Sequence, residues 1–166
     1  QEMSRGLGDV YKRQGMYGGL ATNPIHVLSN ILSLLYDKDG RITLEGFYDD
    51  VPELSNEQKE QWESLNFDAK EFLSNVGLSN IIGEKDYSPL EKIWSRPTCE
   101  VNGIWGGYTE PGFKTVLPSE ASAKVSFRLV GKQDPDKVLK SFRNHVSNNL
   151  PSDCLLYTSP SPRDIS

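Results

Sequence analysis

Cysteine, histidine, methionine and basic excess are all scarce in this 166-residue chain. Its two cysteines, Cys99 and Cys154, provide neither a disulfide framework nor a cysteine-based zinc site. Its two histidines, His26 and His145, are not paired at metal-ligand spacing. With 18 Lys and Arg against 23 Asp and Glu, the formal net charge is −5, which argues against a nucleic-acid-binding surface. No stretch approaches the roughly 18 apolar residues needed to cross a bilayer, and the start has no apolar run of the signal-peptide kind. These absences lead us to expect a reducing, cytoplasmic setting with neither a membrane nor a nucleic-acid partner. The length suits one domain with a real core.

Two stretches lack the character of the rest. SRGLGDVYKRQ (4–14) and CLLYTSPSPRD (154–164) show neither helical nor strand periodicity. Both are readable as translations of opposite strands of one sequencing-adapter DNA segment, the second shifted by one base. Residues 1–14 and 154–166 are therefore expected to be adapter-derived, disordered scars, with the genuine insert at 15–153.

Within 15–153, Asn23 suits an N-cap and Pro24 a first helical position. Ile25, Leu28, Ile31, Leu32 and Leu35 follow at helical spacing, which predicts a helix over 24–37, closed by Asp39-Gly40. RITLEGFYDDVPEL reads as a short strand or extended arm ending at Pro52. Ser55 with Gln58 and Asp68 with Glu71 have capping-box spacing, so short helices are expected near 56–65 and 69–76. NIIGEKDYSPLEKIWSRPT is mixed, with room for a helical turn. CEVNGIWGGY has β character. In AKVSFRL, Ala123, Val125, Phe127 and Leu129 alternate with Lys124, Ser126 and Arg128, the pattern of a half-buried strand pairing with it. Asp134 and Pro135 then open a last helix whose apolar stripe is Val138, Leu139, Phe142 and Val146.

Helix, long excursion, two strands and helix make up most of an α+β, ferredoxin-like βαββαβ sandwich that lacks its first and last strands and carries an inserted helical excursion. Both helices should lie on one face of an antiparallel sheet.

Most candidate chemistry has a plain structural reading. The histidines sit beside apolar stripes, as surface or core-edge residues do. Asp49-Asp50 could ligate a metal, but adjacent loop acids are more often solvated or capping. GIWGGYTEPG lacks the following helix of a phosphate-binding loop, so its glycines suit tight turns and close strand approach. Cys99 fits a buried, inert thiol. Arg128 and Thr115 stay open: they are either part of an ordinary solvated surface or a grip on an anion, with Arg holding a carboxylate through two parallel hydrogen bonds and Thr adding a third contact.

GMYGGLATNPIHVLSNILSLLYDKDGRITLEGFYDDV and YSPLEKIWSRPTCEVNGIWGGYTEPGFKTVLPSEASAKVSFRLVGKQDP resemble the dinuclear-zinc exopeptidases. That family includes carnosine-type dipeptidases, aminoacylase, acetylornithine deacetylase and succinyl-diaminopimelate desuccinylase, and the resemblance is greatest to its bacterial dipeptidases. It covers almost all of 15–153 and implies the family's lid, or dimerisation, domain without the catalytic domain that holds two zinc ions. The resemblance implies no catalytic or metal-binding residue on this chain, and no cofactor. Thr115 falls on the Thr of the family's Lys-Thr-Val-Ile-Pro motif, and Arg128 on the Arg of its Ser-x-Arg-Leu-Val strand. In carnosinase-type relatives these contact substrate, the Arg through the terminal carboxylate. The family's oxyanion-stabilising His falls on Arg13. Leu117 replaces the usual Ile, and Gly131-Lys132 departs from a common Pro-containing turn.

The implied role is homodimer contact and substrate-carboxylate recognition, within a zinc-dependent hydrolase of dipeptides or N-acyl amino acids. Alone, the chain is expected to be inactive. The alternative is a free-standing, non-catalytic ferredoxin-like binding module.

Overall fold

The computed structural model describes residues 12–157. In chain order its elements are β1 (Lys12–Arg13), α1 (Gln14–Tyr17), α2 (Pro24–Ser33), α3 (Asn56–Glu63), α4 (Ala69–Ser74), α5 (Pro89–Trp94), β2 (Thr98–Gly106), β3 (Val116–Leu117), β4 (Ala121–Arg128) and α6 (Pro135–Asn148). Of the two ends set apart by their sequence, 1–11 and 158–166 lie outside the described residues.

The architecture mixes helices with small antiparallel sheets, and its centre is the pair β2 and β4. Cys99 stands opposite Phe127 and Val101 opposite Val125; a register irregularity between Val101 and Gly103 then leads to Trp105 opposite Ser122. One extra residue on β2 at that point is a bulge, which adds local twist. The alternation in β4 separates its two faces as expected: Ala123, Val125 and Phe127 are half-buried, whereas Lys124, Ser126 and Arg128 are exposed.

The apolar face of this pair carries both long helices. Leu35, Ile42, Leu44, Phe47, Cys99 and Val138 form the buried cluster, with Leu32, Val125, Phe127 and Phe142 packed against it. Phe127 bridges the layers, its ring 6.0 Å from that of Phe47 and 5.4 Å from that of Phe142. α2 and α6 are also joined by a hydrogen bond, the His145 Nε2 lying 3.2 Å from the Ile31 carbonyl. The result is the middle of the expected sandwich, with helix, two strands and helix in the expected order.

The caps at the helix starts are those expected. The Asn23 side chain accepts from the Ile25 amide, Ser55 and Gln58 form a reciprocal box, the Asp68 side chain accepts from the Lys70 and Glu71 amides, and the Asp134 side chain accepts from the Asp136 amide. Ser88 and Glu91 make a further box that opens α5.

Helix ends are less faithful to periodicity. α2 stops at Ser33, four residues short of the expected end. Past Leu34 and Leu35, whose amides still bond the Asn30 and Leu32 carbonyls, the chain reverses: Tyr36 bridges to Ile42, the Thr43 amide donates to the Leu35 carbonyl, and Asp37 Oδ1 accepts from the amides of Asp39 and Arg41. The expected arm over 41–52 is, beyond that bridge, a series of turns that drive Ile42, Leu44 and Phe47 into the core. Gln133 locks these turns to the start of α6 by donating to the Phe47 carbonyl at 2.7 Å. Gly131, at φ 61°, lies so close to Pro52 that a Cβ there would meet the proline Cδ at 2.5 Å, which explains a glycine in this turn.

Candidate substrate-contact site

β4 ends at Arg128, on the face of the sheet turned away from the helices, and pairs there with Thr98 at the start of β2. Its guanidinium is not loose. Nη2 donates to the carbonyl of Lys92 at 3.1 Å and to that of Arg96 at 3.3 Å, the last carbonyls of α5 and its exit. A guanidinium carries five donors, so Nε and Nη1 remain for a ligand in this posture.

Thr115 lies just before β3, in the connection leaving the Gly106–Ala121 end of the central pair. β4 rises about 23 Å between Ala121 and Arg128 at ordinary strand spacing. Thr115 and Arg128 therefore belong to opposite ends of that strand, and no hydrogen bond joins them among the described residues. Thr115 is instead next to the other position that the resemblance singled out: its carbonyl accepts from the Gln14 amide at 3.1 Å, and Arg13 pairs with Val116.

The other candidates have structural roles. Asp50 makes a surface ion pair with Lys137 at 3.1 Å. Gly107 has a φ of 76° and lies where a Cβ would be 3.0 Å from Ile25 Cδ1, a turn with close approach. Burial pushes the Cys99 thiol up to about 12, with Glu100 adding to the effect, so it is not a ready nucleophile. His26 is exposed and lines a groove of about 570 Å³ shared with Thr22, Asn23 and Leu117. Among the described residues no group of three or more His, Cys, Asp or Glu could hold a metal ion. The described side chains thus offer no donor set that fits a zinc centre.

One constellation had no sequence signal. Arg96 and Glu84, both buried, form a forked ion pair: Nε lies 3.1 and 3.2 Å from the two carboxylate oxygens, and Nη2 2.8 Å from Oε2. The Arg96 guanidinium packs on two rings, 4.0 Å from the Tyr87 centroid and 5.0 Å from that of Tyr48. Arg41 adds a looser contact to Glu84 at 3.8 Å. A separation of twelve residues across a proline-containing helix start matches no helical or strand spacing, so no periodicity could have paired the two.

A family model described as the peptidase dimerisation domain matches residues 11–154. The chain belongs to this family. Among relatives of this dimerisation domain, it is 30% identical over 132 residues to the Beta-Ala-His dipeptidase of Rattus norvegicus, covering 80% of this chain and 27% of that protein. It is 27% identical over 145 residues to the Cys-Gly metallodipeptidase DUG1 of Saccharomyces cerevisiae, covering 84% and 30%. Among solved structures, human carnosine dipeptidase 1 superposes with a TM-score of 0.74 at 28% identity, over 86% of this chain and 31% of that one. An M20 family metallo-carboxypeptidase from Sulfolobus solfataricus gives 0.71 at 37% identity, over 86% and 37%. The dimerisation domain described here thus spans about a third or less of the curated relatives it matches. Among the described residues, no helix is long and apolar enough to cross a membrane.

Proposed function

We propose that this chain is the lid and dimerisation portion of a zinc-dependent metallopeptidase that cleaves dipeptides or N-acyl amino acids. The observation carrying the reading is the family match over 11–154, on a chain that spans only 27% of a dipeptidase's length. In this reading the domain mediates homodimer contact and Arg128 grips the substrate's terminal carboxylate, while Thr115, at the opposite end of β4, is a contact separate from that grip. The exposed, carbonyl-braced guanidinium supports the carboxylate role: its position is held through Nη2 while Nε and Nη1 each keep hydrogens for single charge-assisted bonds to a carboxylate. In this reading zinc chemistry belongs to a catalytic portion that is not part of this domain. This chain's own residues bind and orient; they neither activate water nor move a proton. The parent is read as a cytoplasmic enzyme. We further propose that residues 1–14 and 154–166 derive from adapter sequence, with 15–153 as the dimerisation-domain insert.

In the full-length enzyme carrying this domain, Arg128→Ala should raise KM for dipeptides with a free carboxylate while bound zinc is unchanged. Steady-state kinetics with metal analysis reads both, and unaltered KM would refute the role. Flanking coding sequence without zinc-ligand motifs would count against the whole reading and favour a free-standing module.

A further inference from the structure

We propose that the buried Glu84–Arg96 pair is a positioning device for Arg128. The inference rests on the reading of Arg128 as the carboxylate grip, and it adds two residues to that site.

The connection is continuous. Arg96 links α5 to β2; its amide donates to the Glu91 carbonyl at 3.0 Å, and its own carbonyl accepts from Arg128. The side chain below that carbonyl is fixed in direction by the fork onto Glu84 and by the Tyr48 and Tyr87 rings. Glu84 is anchored in turn. The Lys85 amide donates to the Asp39 carbonyl at 3.0 Å, and Gly40, at φ 77°, lies where a Cβ would be 2.6 Å from the Gly83 carbonyl. A turn attached to the apolar core thus holds Glu84, Glu84 holds Arg96, and the α5 exit holds Arg128.

Energetics favours position over stability as the reason for this pair. Taking both charges out of water is costly, and well-packed apolar residues of similar volume often stabilise as well or better. What an Arg–carboxylate fork adds is a defined direction. Here that direction is transmitted to one of the two carbonyls that brace the exposed guanidinium.

The test uses the whole chain labelled with ¹⁵N-arginine. Solvent exchange of the Arg128 guanidinium protons should accelerate about fivefold in Glu84→Gln, the scale of losing one hydrogen bond's net contribution. Unchanged exchange, in a variant whose circular dichroism matches the parent chain, overturns the proposal. If Glu84→Gln fails to fold, the double variant Glu84→Leu/Arg96→Met removes the buried charges together; Arg128 exchange must still rise, and its constancy is equally fatal. In the full-length enzyme, Glu84→Gln should raise KM several-fold for substrates with a free carboxylate but not for C-terminally amidated ones, with kcat and zinc unchanged. An equal effect on both classes would mark a merely structural role. The two readings fail separately. An inert Arg128→Ala sinks the carboxylate grip whatever the exchange shows. Constant exchange in the Glu84 variants sinks the positioning role even where Arg128→Ala is damaging.

Discussion

Two regions of the molecule are stabilised in different ways. The sheet and its two long helices form an apolar centre in which Leu35, Phe47, Cys99 and Val138 come from four separate parts of the chain. The excursion over 55–97 is three short helices whose starts are individually capped. Phe72, Val76, Leu78, Ile82 and Trp94 are exposed there, and the excursion is anchored near its end by the Glu84–Arg96 pair. Helices of six to eight residues are too short to be stable alone. The first region is therefore specified by long-range packing, the second mainly by local polar geometry and one buried ionic anchor, with a few apolar contacts such as buried Leu90 and the Trp62–Trp94 ring pair.

The sharpest way to break this contrast is truncation of matched aromatics. Phe47→Ala, at a residue only 2% exposed, should cost about 4 kcal/mol of unfolding free energy in urea titrations. Phe72→Ala, at 55% exposure, should cost well under ~1 kcal/mol. Equal losses would show that the excursion packs as a core of its own.

Alkaline pH probes the apolar centre next. Burial pushes Tyr36 and Tyr48 from 10.0 up to about 12 and Cys99 from 9.0 to about 12, so the fold holds all three neutral. The unfolded chain ionises first. This contribution to stability is therefore complete below pH 9 and is lost as pH rises toward about 12. Melting temperatures between pH 8 and 11 should fall progressively, and Cys99→Ala should flatten the early part of that decline. A flat profile would mean that these groups are as hydrated in the fold as in the unfolded chain.

A modest, local effect is expected from a cap in the excursion. Ser88→Ala removes a capping box and should cost about 1 kcal/mol. Hydrogen exchange should place that loss in α5 amides, while core amides of β2 and β4 are unaffected. A uniform loss would mean that the two regions unfold as one unit.

Local grammar was legible wherever it acts over three or four residues. Asn23-Pro24, Ser55 with Gln58, and Asp134-Pro135 announced helix starts because a cap needs only its own side chain and the next turn's amides. Helix ends were less legible. Periodicity carried α2 on to residue 37, but Tyr36 is drawn off by Ile42 and by Cys99, whose amide donates to the Tyr36 hydroxyl at 3.2 Å. That competition involves a residue 63 positions away.

The candidate site divides along the same line. Alternation in β4 placed Arg128 on the polar face of the strand, and motif resemblance gave it and Thr115 a chemical meaning. The braces on Arg128, the separation of Thr115 from it, and the Glu84–Arg96 pair were decided only by tertiary structure. Side-chain period and capping are properties of neighbours in the chain, so the sequence alone determines them. A guanidinium's partners are whichever carbonyls and carboxylates the packed core brings within about 3 Å, and no spacing along the chain encodes that.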